Sequence, residues 1–85
     1  MNYALIWPHE TLNDLAAAWL ASADRDAITE ASHLIEQALM SQPLTYGSPR
    51  GASVTRMAYE PPLGVEFEII EDDKKVRMLR VWSLL

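Results

Sequence analysis

The chain has 85 residues and a net charge of −5, with twelve acidic side chains against seven basic ones and no cysteine. That is too short for two separate cores, so one domain over residues 1–85 is expected. A disulfide framework and a thiolate metal site are excluded, as is the basic surplus on which phosphate binders depend. The 49% hydrophobic content suffices for a core. Met1 runs straight into a patterned segment with no basic leader or long apolar run, so a cytoplasmic protein with no membrane partner is expected.

The charge is unevenly spread. Arg25 is the only basic side chain before Arg50, whereas Arg50, Arg56, Lys74, Lys75, Arg77 and Arg80 all lie in the second half. The molecule is therefore polarised although its sum is negative.

Residues 2–7, "NYALIW", alternate as a short strand does, with Tyr3, Leu5 and Trp7 on one face, and Pro8 ends the run. In "TLNDLAAAWLAS" the residues Leu12, Leu15, Ala16, Trp19 and Leu20 recur at helical spacing and predict a buried stripe, Trp19 included. Thr11 is the expected cap of this helix, with Asp14 near its positive end. Ser22 or Asp24 opens a second helix that buries Ile28, Ala31, Ile35, Ala38 and Leu39, flanks them with Leu34, and ends at Pro43. The short break between the two makes an antiparallel αα-hairpin.

Proline and glycine mark residues 43–53 as a loop. Residues 54–60 read as a strand stopped by Pro61 and Pro62. Two more strands follow in "GVEFEIIEDDKKVRMLRVW". A turn centred on Asp73 sets Phe67 opposite Leu79, Val65 opposite Val81 and Glu66 opposite Arg80. A two-residue turn at Asp72-Asp73 instead pairs Glu68 with Arg77 and turns Met78 and Trp82 inward. The first register matches more apolar pairs and is preferred, with Phe67, Leu79, Trp19 and Ile35 buried together. The fold class is α+β in the order β-α-α-β-β-β, with the helical hairpin on one face of an antiparallel sheet.

The strand-helix-helix order, the "SPRG" loop feeding a strand, and the ending "FEIIEDDKKVRMLRVW" together resemble the RelE/ParE superfamily of bacterial type II toxins. The resemblance covers nearly the whole chain, and no single motif in it is strict. It implies a growth-inhibiting toxin neutralised by a cognate antitoxin protein, with the open sheet face and final strand as the active surface. The ribosome and DNA gyrase are the target classes it implies. The RNA-cleaving branch needs a base, an acid and cations for the charge that develops on phosphate. The resemblance puts these on the strand before Pro61-Pro62, early in the next strand, and near the C-terminus. Here those positions hold Thr55, Met57 and Gly64, and no tyrosine or histidine follows Trp82. Catalytic residues are left unassigned, and target binding is expected in place of RNA cleavage. The alternatives are a catalytically inactive interaction module with the toxin fold, and a ribosome-dependent mRNA interferase.

Candidate partner- or target-binding residues are Arg50, Arg56, Arg77, Arg80 and Trp82. Arg77 and Arg80 can be cross-strand partners of Glu66 or Glu68, or can bind phosphate or a partner's carboxylates. Arg50 and Arg56 lack an obvious acidic neighbour. Trp82, with Leu84 and Leu85, forms an apolar end that either folds back or is covered by an antitoxin or a second subunit in a homodimer. His9 and His33 stand apart with no metal-ligand spacing, the serines have no placed base, and no phosphate-binding glycine loop occurs, so no cofactor or metal is expected.

Overall fold

The computed structural model describes residues 2–50 and 52–84, and the side chains of all of these except Arg50, Ala52 and Ser53. The elements are β1 (Ala4–Ile6), α1 (His9–Ala21), α2 (Arg25–Ser41), β2 (Ser48–Arg50), β3 (Ala52–Glu60), β4 (Leu63–Ile70) and β5 (Lys75–Ser83), with a 3-10 turn at Glu71–Asp73. The α+β layering follows the expected order. Two details differ. The segment expected as loop contains β2, which pairs antiparallel with β3 through Ser48↔Met57 and Pro49↔Arg56. And the sheet, ordered β1-β5-β4-β3-β2, is mixed, because β1 runs parallel to β5. A parallel pair needs a long crossover between its strands, and everything from Trp7 to Lys74 supplies it.

The core lies between the sheet and α2. Ile28, Ala31, Ile35 and Leu39 recur at three- and four-residue spacing and are buried, while Leu34 remains exposed on the flank. Opposite them stand Leu63, Val65, Phe67 and Ile69, every second residue of β4, with Ala58, Val76, Met78 and Val81 from the neighbouring strands. The 3.6 and 2.0 periodicities thus meet as helix and strand geometry require. Phe67 is fully buried, and its truncation to alanine would cost about 3–5 kcal/mol.

The β4–β5 register combines both sequence readings. From the open ends, Leu63↔Ser83, Gly64↔Trp82, Val65↔Val81 and Glu66↔Arg80 follow the register of a turn centred on Asp73. Nearer the turn, Phe67↔Met78, Glu68↔Arg77, Ile69↔Val76 and Ile70↔Lys75 follow the other. A bulge between the two halves absorbs one residue of β5. Leu79 is therefore not the partner of Phe67 and is 37% exposed, while Met78 and Val81 are both buried. A bulge lets two residues of one strand oppose one of the other, so neither uniform register is needed to keep the inner face apolar.

Helix α1 also differs from expectation. Its only buried side chain is Thr11, and Leu15 and Ala18 pack against the core beside it. These recur at i, i+4 and i+7, so the face turned to the sheet is made of smaller residues than the Leu12–Leu20 stripe. Thr11 does not cap the helix. The helix begins at His9, and the Thr11 hydroxyl donates to the Met78 carbonyl (3.0 Å), at the edge of the β5 bulge. Trp19 is 39% and Leu20 63% exposed. The hairpin link is tied by side chains: Asp24 caps α2 by accepting from the Ala27 amide (3.1 Å), and Arg25 donates to the Trp19 and Leu20 carbonyls at the end of α1. An arginine on the last carbonyls of a helix satisfies acceptors that the helix itself cannot.

Candidate functional sites on the open sheet face and the helical hairpin

The sheet face away from the helices carries alternate residues of each strand: Thr55, Met57 and Tyr59 from β3, Gly64, Glu66 and Glu68 from β4, and Arg77, Arg80 and Trp82 from β5. Its charged groups are paired. Arg77 Nη1 lies 3.2 Å from Glu68 Oε1, and Arg80 Nε lies 2.9 Å from Glu66 Oε1. The cross-strand alignments Glu68↔Arg77 and Glu66↔Arg80 hold on the two sides of the bulge. Both arginines are exposed, so each pair contributes at most about 1 kcal/mol.

Trp82 sits at the open end of this face. A Cβ on Gly64 would stand 2.5 Å from its Cε2, so the indole lies flat on the glycine backbone. Tyr59 meets the ring edge-on (centroids 6.2 Å apart), and the Arg80 guanidinium lies 5.3 Å from the ring centre. The Leu84 amide donates to the Pro62 carbonyl (2.8 Å), which continues the β4–β5 ladder one pair beyond Leu63↔Ser83 and leaves the Leu84 side chain exposed. Leu85 lies outside the described residues.

Arg56 stands apart from this cluster. It pairs with Phe67 across β3–β4 and so faces the helix side. Its Nε donates to the Tyr46 carbonyl (3.0 Å) and its Nη2 to the Gly47 carbonyl (2.9 Å). The absence of an acidic neighbour is thus made up by two backbone acceptors that hold the loop before β2. Gly47 has φ +72°, and a Cβ there would meet the Met57 carbonyl oxygen, so this tight approach requires glycine. Tyr46 stacks on Phe67 and donates to Glu60 Oε1 (3.1 Å). Burial, and then this bond to a carboxylate, push its phenol well above the ordinary tyrosine pKa of 10.0. The Arg50 side chain lies outside the described residues, so its contribution is not part of this geometry.

A second polar cluster joins the N-terminus to the β4–β5 turn. The Tyr3 hydroxyl donates to both Glu71 carboxylate oxygens, and Lys74 pairs with the same carboxylate while lying over the Tyr3 ring. Lys74, and then Tyr3, hold the Glu71 carboxyl below its usual range, while Glu71 raises both the Tyr3 phenol and the Lys74 ammonium. No acid or base is left poised near neutrality, so this is a fastener between β1 and the turn.

The helical hairpin carries an apolar groove that the sequence reading, which buried this stripe, did not expect. Leu12, Leu15, Ala16, Trp19 and Leu20 of α1 face Ile28, Thr29 and Ser32 of α2 across an apolar groove of about 440 Å³. Trp19 Nε1 donates to Thr29 Oγ1 (3.2 Å) and the Arg25 guanidinium covers the ring at 4.6 Å, which fixes the indole as one wall. The signal in the sequence was the overlapping stripe of Thr11, Leu15 and Ala18, which shares Leu15 with the larger one and, being narrower, can turn to a sheet. Among the described residues, no cluster of three or more histidine, aspartate or glutamate side chains is placed to hold a metal ion.

Three of the solved structures with the same architecture come from toxin–antitoxin systems. The RelBE2 toxin–antitoxin complex of Mycobacterium tuberculosis matches with a TM-score of 0.79 at 19% identity, over 98% of this chain and 99% of that one. The chromosomal ParDE system of P. aeruginosa matches at 0.66 and 17% identity, over 98% and 97%. The archaeal RelE–RelB complex of Pyrococcus horikoshii matches at 0.60 and 15% identity, over 99% and 97%. No family model and no curated protein matches the sequence.

Proposed function

From its RelE/ParE-like fold, we propose that this chain is the toxin component of a type II toxin–antitoxin module, working in the cytoplasm by binding its target and silenced by a cognate antitoxin. Support for the module reading is the likeness to three toxin–antitoxin structures from end to end. The observation that carries binding over RNA cleavage is the state of the open face. Arg77 and Arg80 are each neutralised by a glutamate, and Trp82 fills the space above Gly64, where the resemblance would have an arginine. General acid–base chemistry on RNA needs groups free to exchange a proton and cations free to meet the phosphate. A face of paired charges around the half-buried Trp82 and the exposed Tyr59 offers anchors for a macromolecule, of which DNA gyrase and the ribosome are the candidates. On this reading Arg77, Arg80 and Trp82 contact the target, with Arg50 of β2 and Arg56 of β3 at the margin, while the antitoxin lays a helix into the apolar groove of the hairpin.

Controlled expression in bacteria, with and without the neighbouring small reading frame, tests the module. Growth arrest relieved by the neighbour is the expected result, and indifference to expression would instead mark an inactive interaction module. Primer extension on translating ribosomes tests the mode of action. No cuts are expected at the A site, and clean cuts lost in Arg56→Ala would replace target binding by ribosome-dependent RNA cleavage.

A further inference from the structure

We infer that the helix seated in the α1–α2 groove is a basic one, with lysine or arginine flanking its apolar stripe. This rests on the antitoxin reading of the groove and adds the chemistry of the partner. The groove runs from Leu12 to Leu20, about 12 Å along the helix axis. That length receives side chains from roughly two turns of a partner helix, at i, i+3 or i+4, and i+7.

Charge selects the occupant. The segment from Pro8 to Gln42 contains Glu10, Asp14, Asp24, Asp26, Glu30 and Glu36 against the single cation Arg25, so the helical layer alone carries the chain's whole net charge of −5. From Pro43 onward, carboxylates and cations are equal in number. Arg25 is already engaged by two carbonyls and the Trp19 ring. Asp26 lies three residues before Thr29 and Glu36 four after Ser32, the spacings at which helix side chains are neighbours, and Glu36 also accepts from Trp7 Nε1 (3.1 Å). A second copy of the chain docked through this groove would form a two-fold contact and set two layers of net −5 face to face. A helix with acidic flanks meets the same repulsion. Flanking cations are drawn in, which speeds encounter and fixes orientation.

The test uses two synthetic helical peptides with one shared leucine stripe, flanked in one by lysine and arginine and in the other by glutamate. Each is titrated into the full chain, with the Trp19 indole signal followed by NMR. The basic peptide is expected to bind at least about tenfold more tightly at low salt, a difference that fades toward 1 M salt, where the Debye length falls to about 3 Å. Leu20→Asp should abolish binding of both. The double variant Asp26→Asn, Glu36→Gln, its fold checked by circular dichroism, should bind but lose most of the preference. Equal affinity, or preference for the acidic peptide, overturns the charge assignment and leaves the groove as the docking site. Binding that survives Leu20→Asp overturns it too, as does failure of both peptides, and these results remove the groove reading as well. A concentration-dependent dimer lost in Leu20→Asp would give the groove to a second copy. Absence of growth arrest on expression would remove the toxin reading without touching any of these outcomes.

Discussion

Substituting Gly64 by alanine tests whether the indole of Trp82 rests on the backbone of β4. The new Cβ would lie 2.5, 2.6 and 2.7 Å from Trp82 Cε2, Cζ2 and Nε1, against an ordinary carbon–carbon contact of about 3.5–4.0 Å. The ring must therefore withdraw by about 1 Å or rotate away. Rotation loses the edge-on contact with Tyr59, about 0.5–1.5 kcal/mol, and the exposed cation–π contact with Arg80, about 0.5–1 kcal/mol. Alanine itself favours a strand interior over glycine by about 0.5–1 kcal/mol. The net cost of Gly64→Ala in the native background is then about 1 kcal/mol. In a Trp82→Ala background the clash is gone, and the same substitution should stabilise by about 0.5–1 kcal/mol. The coupling between the two sites is the difference, about 1.5–2 kcal/mol, measurable from urea denaturation of the four proteins followed by far-ultraviolet circular dichroism. A coupling under about 0.5 kcal/mol, the level of independent sites, would refute the contact. The same geometry predicts that arginine introduced at position 64 cannot lie on the sheet unless Trp82 is removed as well.

Thr11→Val keeps the shape of the side chain but leaves the Met78 carbonyl without its buried donor, and should cost about 1–3 kcal/mol in thermal or urea unfolding, with Thr11→Ser close to native. Tyr46→Phe should change the alkaline limb of the stability curve. A phenol whose pKa is raised by folding contributes fully below the ordinary value of 10.0 and loses that contribution as pH rises through the folded-state value, so the native protein should weaken above pH 10.0 relative to the variant. Arg77→Ala should cost less than about 1 kcal/mol, an amount that salt reduces further, since its partner is met at the surface. Arg56→Ala should cost more, and should speed amide exchange in the loop at Tyr46 and Gly47, whose carbonyls it holds.

The layers and their order were legible in the sequence because the periodic signals were strong. Ile28, Ala31, Ile35 and Leu39, and Val65, Phe67 and Ile69, are buried as their spacing requires. The β5 bulge was not legible, because each half of the β4–β5 hairpin satisfies a different register and each register, taken alone, looks complete. Only the three-dimensional pairing joins Glu66↔Arg80 and Glu68↔Arg77 in one ladder. Trp19 was misassigned for a related reason. A helical stripe of large apolar residues signals burial without naming what covers it, and here Thr11, Leu15 and Ala18 take the sheet while Leu12, Trp19 and Leu20 are left facing outward. At the candidate site, the ion pairs of Arg77 and Arg80 followed from cross-strand distance. The carbonyl partners of Arg56 could not be foreseen, because they lie in an irregular loop that no periodicity describes.

The two surfaces divide the chemistry of the molecule between them. On the sheet, charges are matched across strands, so the face is nearly neutral, and what projects from it is aromatic and fixed: Trp82 held on Gly64 and braced by Tyr59. On the hairpin, charge is unmatched and the apolar groove is open. A neutral, preorganised face loses little side-chain freedom on docking and gains little from counter-ions, so its binding should depend weakly on salt. An acidic layer around an open groove should bind with the opposite signature, faster at low salt and in a manner set by the partner's charge. Salt dependence therefore distinguishes the surfaces without a structure of either complex. If a partner's association slows steeply with added salt, and Leu20→Asp removes it while Trp82→Ala does not, that partner sits on the hairpin. The reverse pattern puts it on the sheet.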